Sequence, residues 1–225
     1  MKFSPVEAME VKAKEPKPSL LGIMVKPVEH FERIRKNPVI WMPIIVLAIL
    51  FAAGIYLNYD QEAVMKEINK TSSITLSESD KELMKTTSMI FAIIAGIIAP
   101  LIGALVKTIV YQIAAKILKA PVAFKQLFSM CLHISFLSAI ALLVSGAIRF
   151  AFGLSGSGML TGISYYMGES GRAWGSIELF SIWTLVLSAI GLYRTAHFSK
   201  KAAWGIPIVL FIIGMLFHLL GASIS

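Results

Sequence analysis

Five stretches of the chain, 39–56, 88–106, 127–148, 175–192 and 203–221, are apolar at most positions, and more polar segments separate them. None alternates apolar and polar residues with period two, so each predicts a helix rather than a barrel strand. A helix rises about 1.5 Å per residue, and about 20 mostly apolar residues cross roughly 30 Å of hydrocarbon. The five runs therefore predict membrane spans. The fourth is the weakest, because Glu178 limits its uninterrupted apolar part to 179–192.

The connecting segments follow other rhythms. Across 27–37, Val28, Phe31 and Ile34 recur every three positions among Glu29, Glu32, Arg33, Arg35 and Lys36. Pro27 suits a first helical turn, and Asn37 before Pro38 suits an end. A short basic amphipathic helix is the expectation, lying in the inner headgroup layer or solvated beside it. Residues 1–26, with "KAKEPKP", lack periodicity and read as a flexible cytoplasmic tail. In the acidic connection 58–85, Ser79 is a candidate cap for a helix starting near Asp80, with Glu82 as its partner. The second span is expected to run on past Lys107, which can snorkel, with Ile109, Ile113 and Ile117 on one face and Pro121 as the stop.

Composition agrees with a lipid environment: 56% of the 225 residues are hydrophobic, more than one water-soluble core of this length would hide. The charge pattern adds an orientation. Taking alternate connections together, one side holds 15 basic and 5 acidic residues and the other 6 basic and 8 acidic, a balance of +10 against −2. Basic residues concentrate on the cytoplasmic side in short loops. The expected fold is therefore all-α, an integral membrane bundle of five transmembrane helices with the N-terminus cytoplasmic and the C-terminus outside. Residues 27–221 form the membrane domain, and 222–225 are a short external end. Four prolines and several charges precede any sustained apolar run in the first thirty residues, unlike a cleavable signal peptide, so insertion is expected to use the internal segments.

Candidate chemistry is sparse. Small residues recur at helical spacing on three spans: Ala92, Gly96, Ala99 and Gly103; Ser135, Ser138 and Ser145; and Ser181, Thr184, Ser188 and Gly191. Close helix packing explains such stripes, and a polar permeation path is the functional alternative. His133 in the third span and His218 in the fifth are intramembrane polar groups, expected as hydrogen-bonded packing residues. Arg149 and Glu178, at the outer ends of neighbouring spans, are a candidate ion pair. The outer loop 151–176, with seven glycines, reads as a flexible loop or a re-entrant hairpin. Trp41, Trp174 and Trp204 fall near the expected interfaces.

A single cysteine, Cys131, excludes an intrachain disulfide and a cysteine-based metal cluster. No phosphate-binding glycine loop, nucleophile elbow or catalytic dyad is present, so no cofactor, metal or enzymatic activity is expected. The cations are sorted by membrane side rather than gathered on one folded basic face, which argues against nucleic acid.

"PVEHFERIRKNPVIWMPIIVLAIL" from Pro27 resembles the entry to the first span in prokaryotic members of the Yip domain family, named for Ypt-interacting proteins. "APVAFKQLFSMCLHISFL" from Ala120 is similar to that family's lead into its third span, and "FSIWTLVLSAIGLYRTAHFSKKAAWGI" from Phe180 to its fourth span and basic turn. The chain departs from the pattern at His133, where relatives often carry a small or aromatic residue. It also lacks a proline in "HISFLSAI" and the motif of eukaryotic members, whose role with Rab-type GTPases is not carried over. The resemblance implies a five-span protein of the plasma (inner) membrane that organises the bilayer or recruits a lipid or protein partner, with a homo-oligomer among the options. The basic surface expected to serve is Arg33, Arg35, Lys36, Lys116, Lys119, Lys125, Lys200 and Lys201. A transporter or channel for a small solute, ion or lipid is the alternative.

Overall fold

Pro27 at the first position and three cations in the last turn start and finish a ten-residue helix, and the elements around it are helical too. The computed structural model describes residues 17–71, 77–154, 159–167 and 177–224. Its helices in chain order are α1 (Gly22–Val25), α2 (Pro27–Lys36), α3 (Trp41–Asn58), α4 (Gln61–Thr71), α5 (Glu78–Ile117), α6 (Phe124–Phe152), α7 (Ile163–Met167), α8 (Leu179–Thr195) and α9 (Lys200–Ile224). Four of these, α3, α5, α6 and α9, are long and apolar enough to cross a membrane; α8 is apolar but has 17 residues.

α6 is the axis of the bundle. Burial takes 61% of its most apolar window, against 6% for α5 and 11% for α9, so α6 is surrounded by protein while the other two stand at the periphery. α3, α5 and α8 pack directly on α6, and α9 packs on α8. The outward face of α5 carries Phe91, Ile94, Ile98 and Ile102 exposed in a row. Such a patch is costly in water and natural against lipid.

α3 and α6 cross closely because glycines meet larger side chains there. A Cβ on Gly54 would lie 2.8 Å from Leu142, and one on Gly146 would lie 2.6 Å from both Leu57 and Asn58. Asn58 Nδ2 stitches the crossing by donating to Gly54 O at 2.7 Å and Leu142 O at 2.9 Å. Small residues that let backbones approach, joined by side-chain hydrogen bonds, are the usual way helices associate in lipid. Of the α5 stripe, Gly96 fits this pattern against Ile55, whereas Gly103 faces nothing within 4 Å.

Several boundaries correct the sequence expectations. The cap of α5 is Ser77, not Ser79: Ser77 Oγ accepts from Asp80 N at 3.2 Å while the Asp80 carboxylate accepts from Ser77 N at 3.3 Å. Starting two residues earlier gives the helix a reciprocal capping box and places Glu78 and Asp80 in its first turn. α5 does continue past Lys107, but it stops at Ile117, before Pro121, where Lys119 turns left-handed (φ 54) and Ala120 N returns to Ala115 O at 2.9 Å. Residues 17–26, expected as the end of a flexible tail, instead include α1 and bury Leu20 and Ile23 in the core. Two apolar side chains spaced to meet the bundle anchor a segment that has no periodicity of its own. The rest of the expected tail, residues 155–158 and 168–176 of the outer loop, and with them Trp174, lie outside the described residues.

Candidate functional site

α2 is a docked element. Its buried face is His30, Phe31 and Ile34, not the expected Val28, Phe31 and Ile34; Val28 remains 38% exposed. Met130 of α6 and the ring of Phe31 share the space left by Gly191 of α8, where an added Cβ would come within 2.7 Å of Met130 and 3.1 Å of Phe31. Polar contacts then satisfy the carbonyls near the end of α2. Thr195 Oγ1 donates to Phe31 O at 3.1 Å, Gln126 Nε2 to Arg35 O at 2.6 Å, and Ser129 Oγ to Val39 O at 2.8 Å. The Arg194 guanidinium donates to Glu32 at 3.1 Å. Helix C-termini leave carbonyls without partners, and Gln126 of α6 supplies a donor to one of them, that of Arg35.

The same contacts bring the predicted cations to one end of the molecule. Arg33, Arg35 and Lys36 lie on α2; Lys116, Lys119 and Lys125 flank the turn from α5 to α6; Lys200 and Lys201 open α9. Gln126 and the Arg35 side chain, which meets His197, tie α2 to both turns. Arg33 also pairs with Glu29 on the solvent side of α2, an exposed contact of little energetic weight. The eight residues do not form one site. Arg35 and Lys36 alone among them join Glu32, Tyr193, Arg194 and His197 around a cavity of about 330 Å³. Arg194 and His197 were not singled out from the sequence, because only the packing of α2 on α8 brings them to Arg35.

Beneath this surface lies a histidine pair. His133 is fully buried, and its Nδ1 donates to Ser129 O at 2.7 Å. Its ring centroid is 4.9 Å from that of His30, and the Nε2 atoms of both rings are buried without a hydrogen-bond partner. Burial first, then the neighbouring His133 and Arg33, push the His30 imidazole down from 6.5 to about 3, so it is neutral at ordinary pH. Two nitrogens fall short of the three or four ligands of a metal centre, and no group of three or more His, Cys, Asp or Glu is so placed among the described residues. His218, expected as a packing residue, is instead exposed on the outer face of α9, which touches the bundle mainly through α8.

At the opposite end the expected Arg149–Glu178 pair does not form. Glu178 accepts from Thr161 Oγ1 at 3.1 Å, and Arg149 lies 5.3 Å from the centroid of the Tyr165 ring. Gly162 bridges to Glu178 and Leu160 N donates to Ser145 Oγ, so residues 160–162 lie against both helix ends and nearer partners intervene. The hydroxyl stripe of α8 is more productive. Ser181, Thr184 and Ser188 line a second cavity of about 360 Å³, with Ser138 of α6 and with Lys107 and Glu178 also in its wall. Thr184 Oγ1 is buried there without a partner, and His133 is not part of the lining.

An apolar helical bundle with an amphipathic entry helix folded onto its basic end defines a multi-pass membrane protein. Residues 21–221 match the Yip1 domain, and the chain belongs to that family. It is 30% identical over 212 residues to "Membrane protein YknW" of Bacillus subtilis (strain 168), covering 93% of this chain and 92% of that protein. No solved structure matches the chain.

Proposed function

We propose that this protein is a non-enzymatic organiser of the plasma membrane that crosses the bilayer five times and gathers anionic lipid, or an acidic partner, against its cytoplasmic end. The observation that carries this reading is the convergence of Arg33, Arg35, Lys36, Lys116, Lys119, Lys125, Lys200 and Lys201 at the end of the bundle where α2 docks. Each cation near an anionic leaflet contributes about 1 kcal/mol of attraction, and the attraction fades with salt over a screening length of about 8 Å. The counted spans are α3, α5, α6, α8 and α9. α8 supplies about 26 Å of helix from its 17 residues, enough for a span in a locally thinned bilayer.

The test is the lipid shell of the full-length chain reconstituted in mixed vesicles. Anionic phospholipid should be enriched around it over phosphatidylcholine, and the enrichment should fall as salt rises. A shell with the bulk composition at low salt sinks the proposal. Orientation is tested separately by placing single cysteines near each end in a Cys131→Ser background. Membrane-impermeant maleimide should reach the C-terminal one from outside and the N-terminal one only after lysis.

A second reading, transport of a small solute, ion or lipid, draws support from the hydroxyl-lined cavity between Lys107 and Glu178. Thr184→Val, Ser188→Ala and His133→Ala in a flux assay separate the two readings. Under transport the first two variants lower flux, while His133, outside the cavity, acts only through stability. Unchanged flux in all three removes transport from consideration.

A further inference from the structure

We infer that the cavity between α2 and the α8–α9 turn is a binding site for a single phosphate-bearing anion, a phosphomonoester or phosphodiester whose stem can be glycerol; the inference rests on the anionic-lipid reading above. Arg35 and Lys36 reach the cavity from α2, and Arg194 and His197 reach it from the end of α8, so two distant segments build one wall of cations. Among the described lining residues, Arg35, Lys36 and Arg194 are the permanent cations and Glu32 is the carboxylate, engaged by Arg194 at 3.1 Å. Arg35 is held toward the cavity by His197, 162 residues away in sequence. Its partner there is an imidazole nitrogen, a weaker competitor for a guanidinium than a phosphate oxygen.

The backbone is arranged for the same purpose. His197 is one of two non-glycine residues with a left-handed backbone, φ 55, among those described. That conformation ends α8, sends Phe198 N back to Leu192 O at 3.2 Å, and places the imidazole and Arg35 together at the mouth. A left-handed non-glycine residue at a ligand-sized cavity is strain of the kind found at binding sites. Phe198, 2% exposed, is also in the lining, and Tyr193 stacks under Arg194 with 5.3 Å from guanidinium carbon to ring centroid. An apolar wall lowers the local dielectric, and the ring fixes the guanidinium plane.

The chemistry of the lining selects the ligand class. Two guanidinium groups and an ammonium offer donors from three directions, which a tetrahedral phosphate can use and a flat carboxylate cannot. A volume of about 330 Å³ sits at the small end of the roughly 300–1,000 Å³ range of ligand sites, room for a phosphate with its ester stem. Because the cavity lies at the end of the bundle that carries the basic surface, a lipid headgroup from the inner leaflet and a soluble phosphate ester present the same group to it.

Native mass spectrometry of the full-length protein in detergent, supplied with phosphatidylglycerol, phosphatidic acid or phosphatidylcholine, reads the site directly. Wild type should retain one anionic lipid per chain. The double variant Arg35→Gln/Lys36→Gln should lose retention by about tenfold or more, as two charge-assisted contacts go. Lys200→Gln/Lys201→Gln removes the same charge from the basic surface around the cavity, outside its lining, and should lower retention far less, by under about threefold. Glycerol 3-phosphate and inorganic phosphate, added as competitors, distinguish the sources: displacement marks a soluble ester, and resistance marks a lipid headgroup. Equal loss in both doubles would leave a diffuse basic surface and overturn the pocket. Retention in both would also overturn it, and no anionic preference in wild type would end the broader reading as well. Should the Arg35/Lys36 variant fail to fold, acetylation of the wild-type protein serves instead. Added anionic lipid should slow modification of Lys36 at least threefold relative to Lys200 and Lys201, and equal rates would overturn the site.

Discussion

Gly146 is one of two glycines, with Gly54, at which α3 and α6 approach closely. Its missing Cβ is the space that Leu57 and Asn58 occupy, and Asn58 in turn bonds carbonyls on both helices. Gly146→Val should therefore separate the helices and lower stability by about 1–3 kcal/mol, the usual cost of overpacking. Asn58→Leu, which removes the two donors but keeps volume, should cost about 1 kcal/mol. Thermal melts of the two variants in detergent check the order. Gly146 lies outside the small-residue stripe of the third span, which runs through Ser135, Ser138 and Ser145. A glycine at a crossing is distinguished from one facing lipid only by its neighbour, as Gly103 shows by having none.

At the scale of the element, α2 is held to the bundle by a buried aromatic ring, side-chain donors to backbone carbonyls and a neutral histidine. The histidine makes the docking sensitive to acid. With its pKa pushed from 6.5 to about 3, docked His30 stays unprotonated through a range in which released His30 takes up a proton. The released state then binds more protons, so docking is unaffected above pH 6.5 and weakens as pH falls from there, by at most about 1.4 kcal/mol per unit. Hydrogen exchange of 27–36 should accelerate between pH 7 and pH 5 beyond its intrinsic pH dependence, and His30→Leu should remove the excess. Phe31→Ala should release α2 at every pH, with a loss of about 3–5 kcal/mol, while exchange in the core of α6 stays slow. The periodicity of 27–37 and its two prolines set the helix to within a residue, yet on the buried face His30 takes the place expected for Val28. Val28 and His30 are both compatible with an apolar stripe through Phe31 and Ile34, and the choice belongs to α6 and α8.

For the whole molecule, the proposed orientation in the membrane rests on the division of charge between the two ends. The α5–α6 turn contributes three cations close together. Lys116→Gln/Lys119→Gln/Lys125→Gln should therefore produce a mixed population with part of the C-termini facing the cytoplasm, measured by a reporter fused after Ser225. A uniform orientation in that variant would assign the signal to the N-terminal cations. α6, buried through most of its length, and α5, buried through little of it, have comparable hydropathy along the sequence. In lipid both an inward and an outward apolar face are acceptable, so hydropathy alone does not rank helices from centre to edge.

The sequence by itself determined that the chain is helical, apolar over several bilayer-length runs, and basic at the connections that now share one end. These are local or summed properties, set by periodicity, capping residues and charge counts. It also carried the family, through segments long enough to resemble others. Only the tertiary structure decided which cations face a common cavity, that His133 meets His30, and that Arg149 and Glu178 go to different partners. Those outcomes depend on approaches between residues far apart in the chain, which packing fixes and no local pattern encodes.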